Sequence, residues 1–584
     1  MRSFFKTVLA VILGFFLLVI IGVGIVAVVA AASNKSEPIA EKSFLKIDFN
    51  YAITERSENN NSPFSMFGKA QGLGINQIEE ALTAAKKDPK IKGILLELSG
   101  FGAGLTKAEL VRNALLDFKK SGKPIYAYAE YYDQKTYYVA SVANKIYLNP
   151  AGTFLFQGLS IENAFLKGMF DKLGIEMQLI RGKNNLYKGA GETYIKEAYS
   201  PENKQQLTEL LGGIYSSYLS DVAAARQLQK DAVFQMADGL LINVPEDALK
   251  YKLIDKLAYK DEVLEEIAKV CGVEKTKDQK MVTLMRYVKS VEPSTDFASD
   301  KIAVIYANGG IMGGEGDDET IGSERISMAV RKARQDEKVK ALVIRINSPG
   351  GSALASDVIW REIYLAKYVD KKPVVVSMGD YAASGGYYIA APADSIFAQR
   401  NTITGSIGVF ALIPNAKKLF NEKFGITFDG VNTTKNADLL NPSSNISPVE
   451  MRYIQTSIDK VYSDFISRVA QGRKRDTSYI LGIAGGRVYT GEAAKKLGLV
   501  DRIGTLQNAI TCAAGMAKLK EYRTVNLPAM VDPFEQFQKQ LSGDVRSYFV
   551  KQALGSEFKY VKQAEELLKT DRIQARISLE VSVK

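Results

Sequence analysis

The sequence predicts an α/β protein built from two tandem copies of one unit, each with a largely parallel sheet, behind a single N-terminal transmembrane helix. Three observations carry that expectation. Residues 8–32 form an uninterrupted apolar run without a charged side chain. Beyond it, apolar strand-like runs alternate with helical stretches, the order that βαβ crossovers and parallel sheets require. The alternation then repeats: Lys92 answers Lys340, Tyr137-Tyr138 answers Tyr387-Tyr388, and Leu253-Ile254-Asp255 answers Leu499-Val500-Asp501, at offsets of 248, 250 and 246 residues. An offset this constant through three blocks marks a duplicated unit of roughly 240 residues.

The apolar run comes first. At 1.5 Å per residue it spans about 37 Å as a helix, more than the ~30 Å of a hydrocarbon core. Arg2 and Lys6 precede it, whereas Lys35, Glu37, Glu41 and Lys42 beyond it nearly cancel. That bias keeps the N-terminus in the cytoplasm and exports the remainder. Residues 1–42 are therefore read as an anchor in the cytoplasmic (inner) membrane, single-pass, with the rest facing the periplasmic or extracytoplasmic side. A cleavable signal peptide competes with this reading, since Ala30-Ala31-Ala32-Ser33 offers a cut, but its apolar region would be unusually long. Hydrophobic and charged fractions of 46% and 24% are those of a globular protein. The net charge of +11 is spread over short runs such as Lys86-Lys87, which suits an anionic membrane surface or simply solvated lysines. No nucleic-acid module is recognisable.

In the first copy, residues 43–292, a strand is expected over 44–49, a polar loop over 57–74, an amphipathic helix over 75–85 and a buried strand over 91–98. In the second, residues 300–530, the order returns as strand 302–306, glycine-rich loop 309–316, helix 324–333 and strand 339–346. A polar seam, 293–300, separates the copies. The Lys/Glu-rich tail, 531–584, lies outside both and reads as helical, with its last residues, 575–583, alternating as in a strand. Cys271 and Cys512 lack metal-ligand spacing and read as two thiols, with a pairing between them as the alternative. Without histidine or a cysteine cluster, no zinc site is expected.

The chemistry concentrates after residues 373–378, a run apolar enough for a strand buried on both faces. There the chain reads Asp380-Tyr381-Ala382-Ala383-Ser384-Gly385-Gly386 and then turns helical. A serine at a strand-to-helix turn, followed by glycines, exposes a hydroxyl beside free backbone N–H groups. Ser384 is thus the candidate nucleophile. With no histidine in 584 residues, a Ser-His-Asp triad cannot exist, and lysine is the usual substitute base. Asn347-Ser348-Pro349-Gly350-Gly351, at the end of a neighbouring buried strand, leaves N–H groups free to face an anion. With the N–H of Gly385 this turn forms a candidate oxyanion hole. The first copy has Gln134 opposite Ser384 and Ser99-Gly100-Phe101-Gly102-Ala103 opposite the Pro-Gly-Gly turn, so only the second copy carries the nucleophile and its glycines.

The segments Ile346 to Ser352 (I-N-S-P-G-G-S), Tyr381 to Ala390 (Y-A-A-S-G-G-Y-Y-I-A), Thr404 to Val409 (T-G-S-I-G-V) and Tyr489 to Asp501 (Y-T-G-E-A-A-K-K-L-G-L-V-D) together resemble the signal peptide peptidase A family in its long, two-repeat form. The resemblance runs from the anchor to about residue 515. It implies two ClpP/crotonase-like repeats and a Ser/Lys dyad whose serine comes from the C-terminal repeat and whose lysine comes from the N-terminal one. Lys188, in Leu186-Tyr187-Lys188-Gly189-Ala190, matches that lysine. The internal alignment, anchored on Ser200-Pro201 and Ser447-Pro448, instead sets Lys435 opposite Lys188, and Lys183 lies close by, so repeat symmetry alone leaves the base open. Under the resemblance, Gly351 and Gly385 hold the oxyanion, with Gly350 beside them, and Ser406 orients the amine. Burial must lower the lysine's pKa for it to accept a proton. Signal peptides and other hydrophobic peptides are the implied substrates, a homotetramer with its sites inside a bowl the implied assembly, and no cofactor is implied. Two other classes compete: an inactive membrane scaffold of the same fold, and a crotonase-type acyl-CoA enzyme, which fits poorly with export.

Overall fold

The computed structural model describes residues 38–57, 72–291, 298–531 and 573–577, together with positions 14 and 17. The expected membrane helix, most of the polar loop, most of the seam and most of the tail lie outside these residues. Among the described residues no helix is long and apolar enough to cross a membrane.

Two sheets of matching strand order form the frame. In the first, the order is Lys256–Leu257, Lys145–Phe154, Ile125–Tyr132, Ile91–Glu97, Ser43–Ile47 and Lys280–Thr283, every pairing parallel. In the second, Arg502–Ile503, Ser395–Ala398, Val374–Ala383, Val339–Ser348, Lys301–Asn308 and Arg523–Leu527 follow in the same order, again parallel. These strands are apolar on both faces because helices cover both. Along Lys301–Asn308, Ile302, Val304 and Tyr306 join the layer under helix Leu506–Met516, while Ala303, Ile305 and Ala307 join the opposite core with Ile344, Val376 and Ile359. That alternation is the two-residue period of a strand.

The duplication extends to single hydrogen bonds. Tyr137 Oη donates to Leu253 O at 2.6 Å, and Tyr387 Oη to Leu499 O at 2.8 Å. Asp255 accepts from Ile146 N at 2.8 Å, and Asp501 from Ile396 N at 2.7 Å. Arg226 pairs with Asp255 as Arg473 pairs with Asp501. Both cysteines are free, Cys271 buried and Cys512 partly so.

Two segments differ from the sequence expectation. The strand expected over 373–378 continues as Val374–Ala383, with a register irregularity before Ser348 pairs with Ala382. Its polar residue Asp380 is tolerated inside because Lys107 Nζ lies 2.6 Å from Asp380 Oδ2. The glycine-rich loop contains a short strand, Gly310–Met312, which pairs with Thr320–Gly322 and, at Ile311, with Gly351.

That short strand belongs to a third sheet that joins the two repeats: Thr320–Gly322, Gly310–Met312, Gly350–Ser352, Ile573–Arg576, Phe410–Asn415 and Glu176–Arg181. Glu176–Arg181 from the first repeat runs antiparallel to Phe410–Asn415 of the second, Arg181 opposite Phe410 and Glu176 opposite Asn415.

A buried ionic cluster ties the repeats together a second time. Lys107 Nζ lies 2.8 Å from Glu55 Oε1, and Arg345 Nε lies 2.9 Å from Glu55 Oε2. Burial opposes ionisation of Glu55, but Arg345 and Lys107 outweigh it and hold its pKa at about 2. A folded pKa below the ordinary 4.5 means that this stabilisation is present above pH 4.5 and is lost as pH falls from there through about 2. Lys107→Met strips a cation from two buried carboxylates and is expected to cost about 3–5 kcal/mol. Denaturant unfolding at neutral pH should show that loss, and the acid-unfolding midpoint should move up.

Candidate active site

Strand Val374–Ala383 runs straight into helix Gly385–Ala390, and Ser384 is the single residue between them. Its backbone has φ 56° and ψ −114°, a conformation that costs a non-glycine residue of order 1–3 kcal/mol and is kept only where the surroundings enforce it. Ser384 N donates to Gly405 O and Tyr388 N donates to Ser384 O, both at 2.8 Å. The residue has no exposed surface. Behind it the packing is too close for a side chain: a Cβ on Gly385 would lie 2.6 Å from Ser356 Oγ. As the first residue of a helix, Gly385 keeps an N–H that no helical carbonyl can take.

Lys188 arrives from the other repeat. After Glu176–Arg181 the chain is pinned to the second repeat, with Gly182 N donating to Val409 O at 3.1 Å and Tyr187 N to Gly485 O at 3.0 Å. Asn185 Nδ2 also donates to Val409 O at 3.0 Å. Gly486, with φ +84°, lies so near that a Cβ there would sit 2.6 Å from both Cα and Cβ of Lys188. The amine then reaches its partners: Nζ lies 2.7 Å from Ser384 Oγ, 3.0 Å from Ser406 Oγ and 3.1 Å from Ser406 O. Ser406 is itself held by its N–H donating to Arg487 O at 2.7 Å.

Lys188 is 1% exposed. Burial, helped by the nearby Arg181 guanidinium, pushes its pKa well below that of an ordinary lysine. An amine that is neutral at working pH has two N–H bonds and one lone pair. Such an amine has one N–H for each Ser406 oxygen and a lone pair for the Ser384 hydroxyl, the inventory that a proton transfer from serine needs.

The glycine turn stands on the other side of Ser384. Gly350 has φ +98°, and its N–H is occupied by Ser348 Oγ at 3.1 Å. A Cβ on Gly351 would lie 2.1 Å from Ile311 O, so this position accepts only glycine without rearrangement.

The remaining candidates lie elsewhere. Lys435 sits in an exposed stretch. The Lys183 side chain is 82% exposed, 3.9 Å from Asp459. Gln134, the first-repeat counterpart of Ser384, is buried, and its amide side chain is engaged by Gly158, whose N–H donates to Gln134 Oε1 at 2.8 Å. Sequence reasoning passed over Asn185, Gly486 and Arg487. The one available signal was Gly485-Gly486 just before a short strand, the mark of a close backbone approach.

Comparison with known proteins gives one family match and several relatives. The model of peptidase family S49 matches residues 117–274 and 366–520, one stretch in each repeat. Protease 4 of Salmonella typhi is 36% identical over 549 residues, which is 91% of this chain and 87% of that protein. The chloroplastic serine protease SPPA of Arabidopsis thaliana is 35% identical over 514 residues, 87% of this chain and 74% of that protein. A putative signal peptide peptidase SppA of Enterococcus faecium is 34% identical over 229 residues, 38% of this chain and 66% of that protein.

The close approach of Gly486 to Lys188 yields a prediction. Gly486→Val displaces the lysine backbone, and a misplacement of this order is expected to lower kcat/KM on a peptide substrate by about 10²-fold. Circular dichroism should still show the folded protein, which separates displacement from unfolding.

Proposed function

The chain belongs to peptidase family S49 and is a serine peptidase, and from that premise we propose that it is a membrane-anchored endopeptidase that degrades cleaved signal peptides with a Ser384/Lys188 dyad. The observation that carries the proposal is the 2.7 Å separation of Lys188 Nζ and Ser384 Oγ, between an amine whose pKa burial lowers and a hydroxyl on a strained turn.

In this reading Ser384 Oγ attacks the scissile carbonyl carbon while its proton passes to Lys188 Nζ. The N–H groups of Gly351 and Gly385 hold the developing oxyanion; removing one such donor typically costs about 10²–10³ in kcat. The Lys188 ammonium then gives its proton to the leaving amine as the C–N bond breaks. Water, deprotonated by the regenerated amine, hydrolyses the acyl-serine and restores the hydroxyl. Ser406 keeps the amine aimed throughout. Residues 8–32 supply the anchor that holds the enzyme on the surface where signal peptides remain, and the relative named a putative signal peptide peptidase supports this substrate class.

Hydrolysis of a hydrophobic signal-peptide substrate tests the dyad. Ser384→Ala and Lys188→Met are expected to lose at least about 10³-fold in kcat/KM, while Lys435→Ala and Lys183→Ala keep it. Full activity in Ser384→Ala, or loss only in Lys435→Ala, defeats the mechanism. The pH profile adds an independent check. Lys188 works as a base only when neutral, so kcat/KM rises as pH passes its folded pKa and levels off well below lysine's ordinary 10.5. A rise only near that value would show the amine to be unperturbed.

Anchoring has its own measurement. The full chain should stay with membranes through alkaline carbonate extraction, and a chain lacking residues 1–42 should be released. Release of both would remove the anchor from this reading.

A further inference from the structure

One strand of the third sheet comes from the C-terminal tail. Ile573–Arg576 runs antiparallel to Gly350–Ser352 on one side and to Phe410–Asn415 on the other, filling the slot between them. Its register is defined: Gly351 stands opposite Ala575 and Gly350 opposite Arg576, and Ile577 N donates to Pro349 O at 2.9 Å. An extended segment that adds main-chain pairs to a sheet edge is how sheet-edged clefts take peptides.

The segment also straddles the site. Ala575 O lies 2.1 Å from where a Cβ on Gly350 would stand and 3.1 Å from where one on Gly385 would stand. Its carbonyl therefore points among the glycines proposed for the oxyanion. Arg576 and Ile577 instead line the cavity that holds Lys188 and Ser406, and Ile577 packs with Ala383 and Val488. The Ala575–Arg576 bond thus crosses from the glycine side of Ser384 to the lysine side. The Ala575 side chain is buried.

We propose that this strand is a substrate built into the chain: the enzyme cuts its own Ala575–Arg576 bond, and until it does so the strand blocks the slot to other peptides. The proposal rests on the Ser384/Lys188 reading above. Ser384 Oγ forms an ester with the Ala575 carbonyl carbon, and the Ala575–Arg576 C–N bond breaks. The Ser384 proton, carried by Lys188 Nζ, goes to the new amino group of Arg576, and residues 576–584 leave as a free peptide. One water then hydrolyses the ester, so that the chain ends in the Ala575 carboxylate and Ser384 recovers its proton. Once cut, the strand has lost the Ile577 anchors and leaves the slot.

The test uses the full chain as wild type, as Ser384→Ala, and as Ser384→Ala with residues 573–584 deleted. Intact-mass spectrometry reads the C-terminus, and hydrolysis of a hydrophobic peptide is measured on the same wild-type sample. Wild type is expected to end at Ala575 and Ser384→Ala at Lys584. A labelled hydrophobic peptide should bind at least about tenfold tighter to the deleted Ser384→Ala chain than to the intact one, because the occupied slot lowers the fraction competent to bind. Wild type that hydrolyses peptide yet retains Lys584 overturns the proposal and leaves the dyad standing, as does loss of the same nine residues from Ser384→Ala. Equal peptide binding with and without residues 573–584 overturns the blocking role. Absence of both peptide hydrolysis and trimming in wild type overturns the dyad and the proposal together.

Discussion

The site depends on one contact, the 2.7 Å approach of Lys188 Nζ to Ser384 Oγ across 196 residues of chain. Neither repeat contains it alone. It requires Glu176–Arg181 of the first repeat to pair with Phe410–Asn415 of the second, and it requires the segment after that strand to lie against Gly485 and Gly486. Both glycines have positive φ, and Gly486 leaves no room for a side chain against Lys188. The third sheet is thus the means by which the two large sheets share one site.

Two buried lysines show how the same fold moves two amine pKa values in opposite directions. Lys107 lies between the carboxylates of Glu55 and Asp380; burial works against its charge, but those partners outweigh it and raise its pKa. It is a structural cation that joins a first-repeat helix to the strand that leads into Ser384. Lys188 is equally buried but has serine oxygens for partners and Arg181 nearby, and its pKa falls. Burial penalises charge in both places, and the presence or absence of a carboxylate decides the outcome.

Divergence between the copies follows the same economy of change. The tyrosine, aspartate and arginine contacts that hold each sheet to its helices remain in both copies. At the turn where the second copy strains a serine into the cleft, the first has Gln134, whose amide closes on Gly158. Gly158 lies 250 residues before Gly408, whose carbonyl stands 3.4 Å from Ser384 Oγ. A side-chain amide thus meets in one copy the glycine whose counterpart the serine hydroxyl meets in the other.

The sequence alone determined the duplication, the alternation of strands and helices, and Ser384 as the serine at the turn, because each is written locally: a constant offset, a periodicity, and glycines after a buried strand. The absence of histidine likewise determined that any base for that serine had to be another residue type. The choice among Lys188, Lys435 and Lys183 was not local. Repeat symmetry pointed to Lys435, the family motif pointed to Lys188, and only the antiparallel pairing of strands from different repeats brings one of the three to the serine hydroxyl. Asn185, Gly486 and Arg487 were illegible for the same reason, since each acts on a backbone far away in the chain. The C-terminal strand is the clearest case. Its alternation was visible in the last residues, but a two-residue period says only that a strand forms, and which edges it joins is settled by the slot that the folded repeats leave between Gly350–Ser352 and Phe410–Asn415.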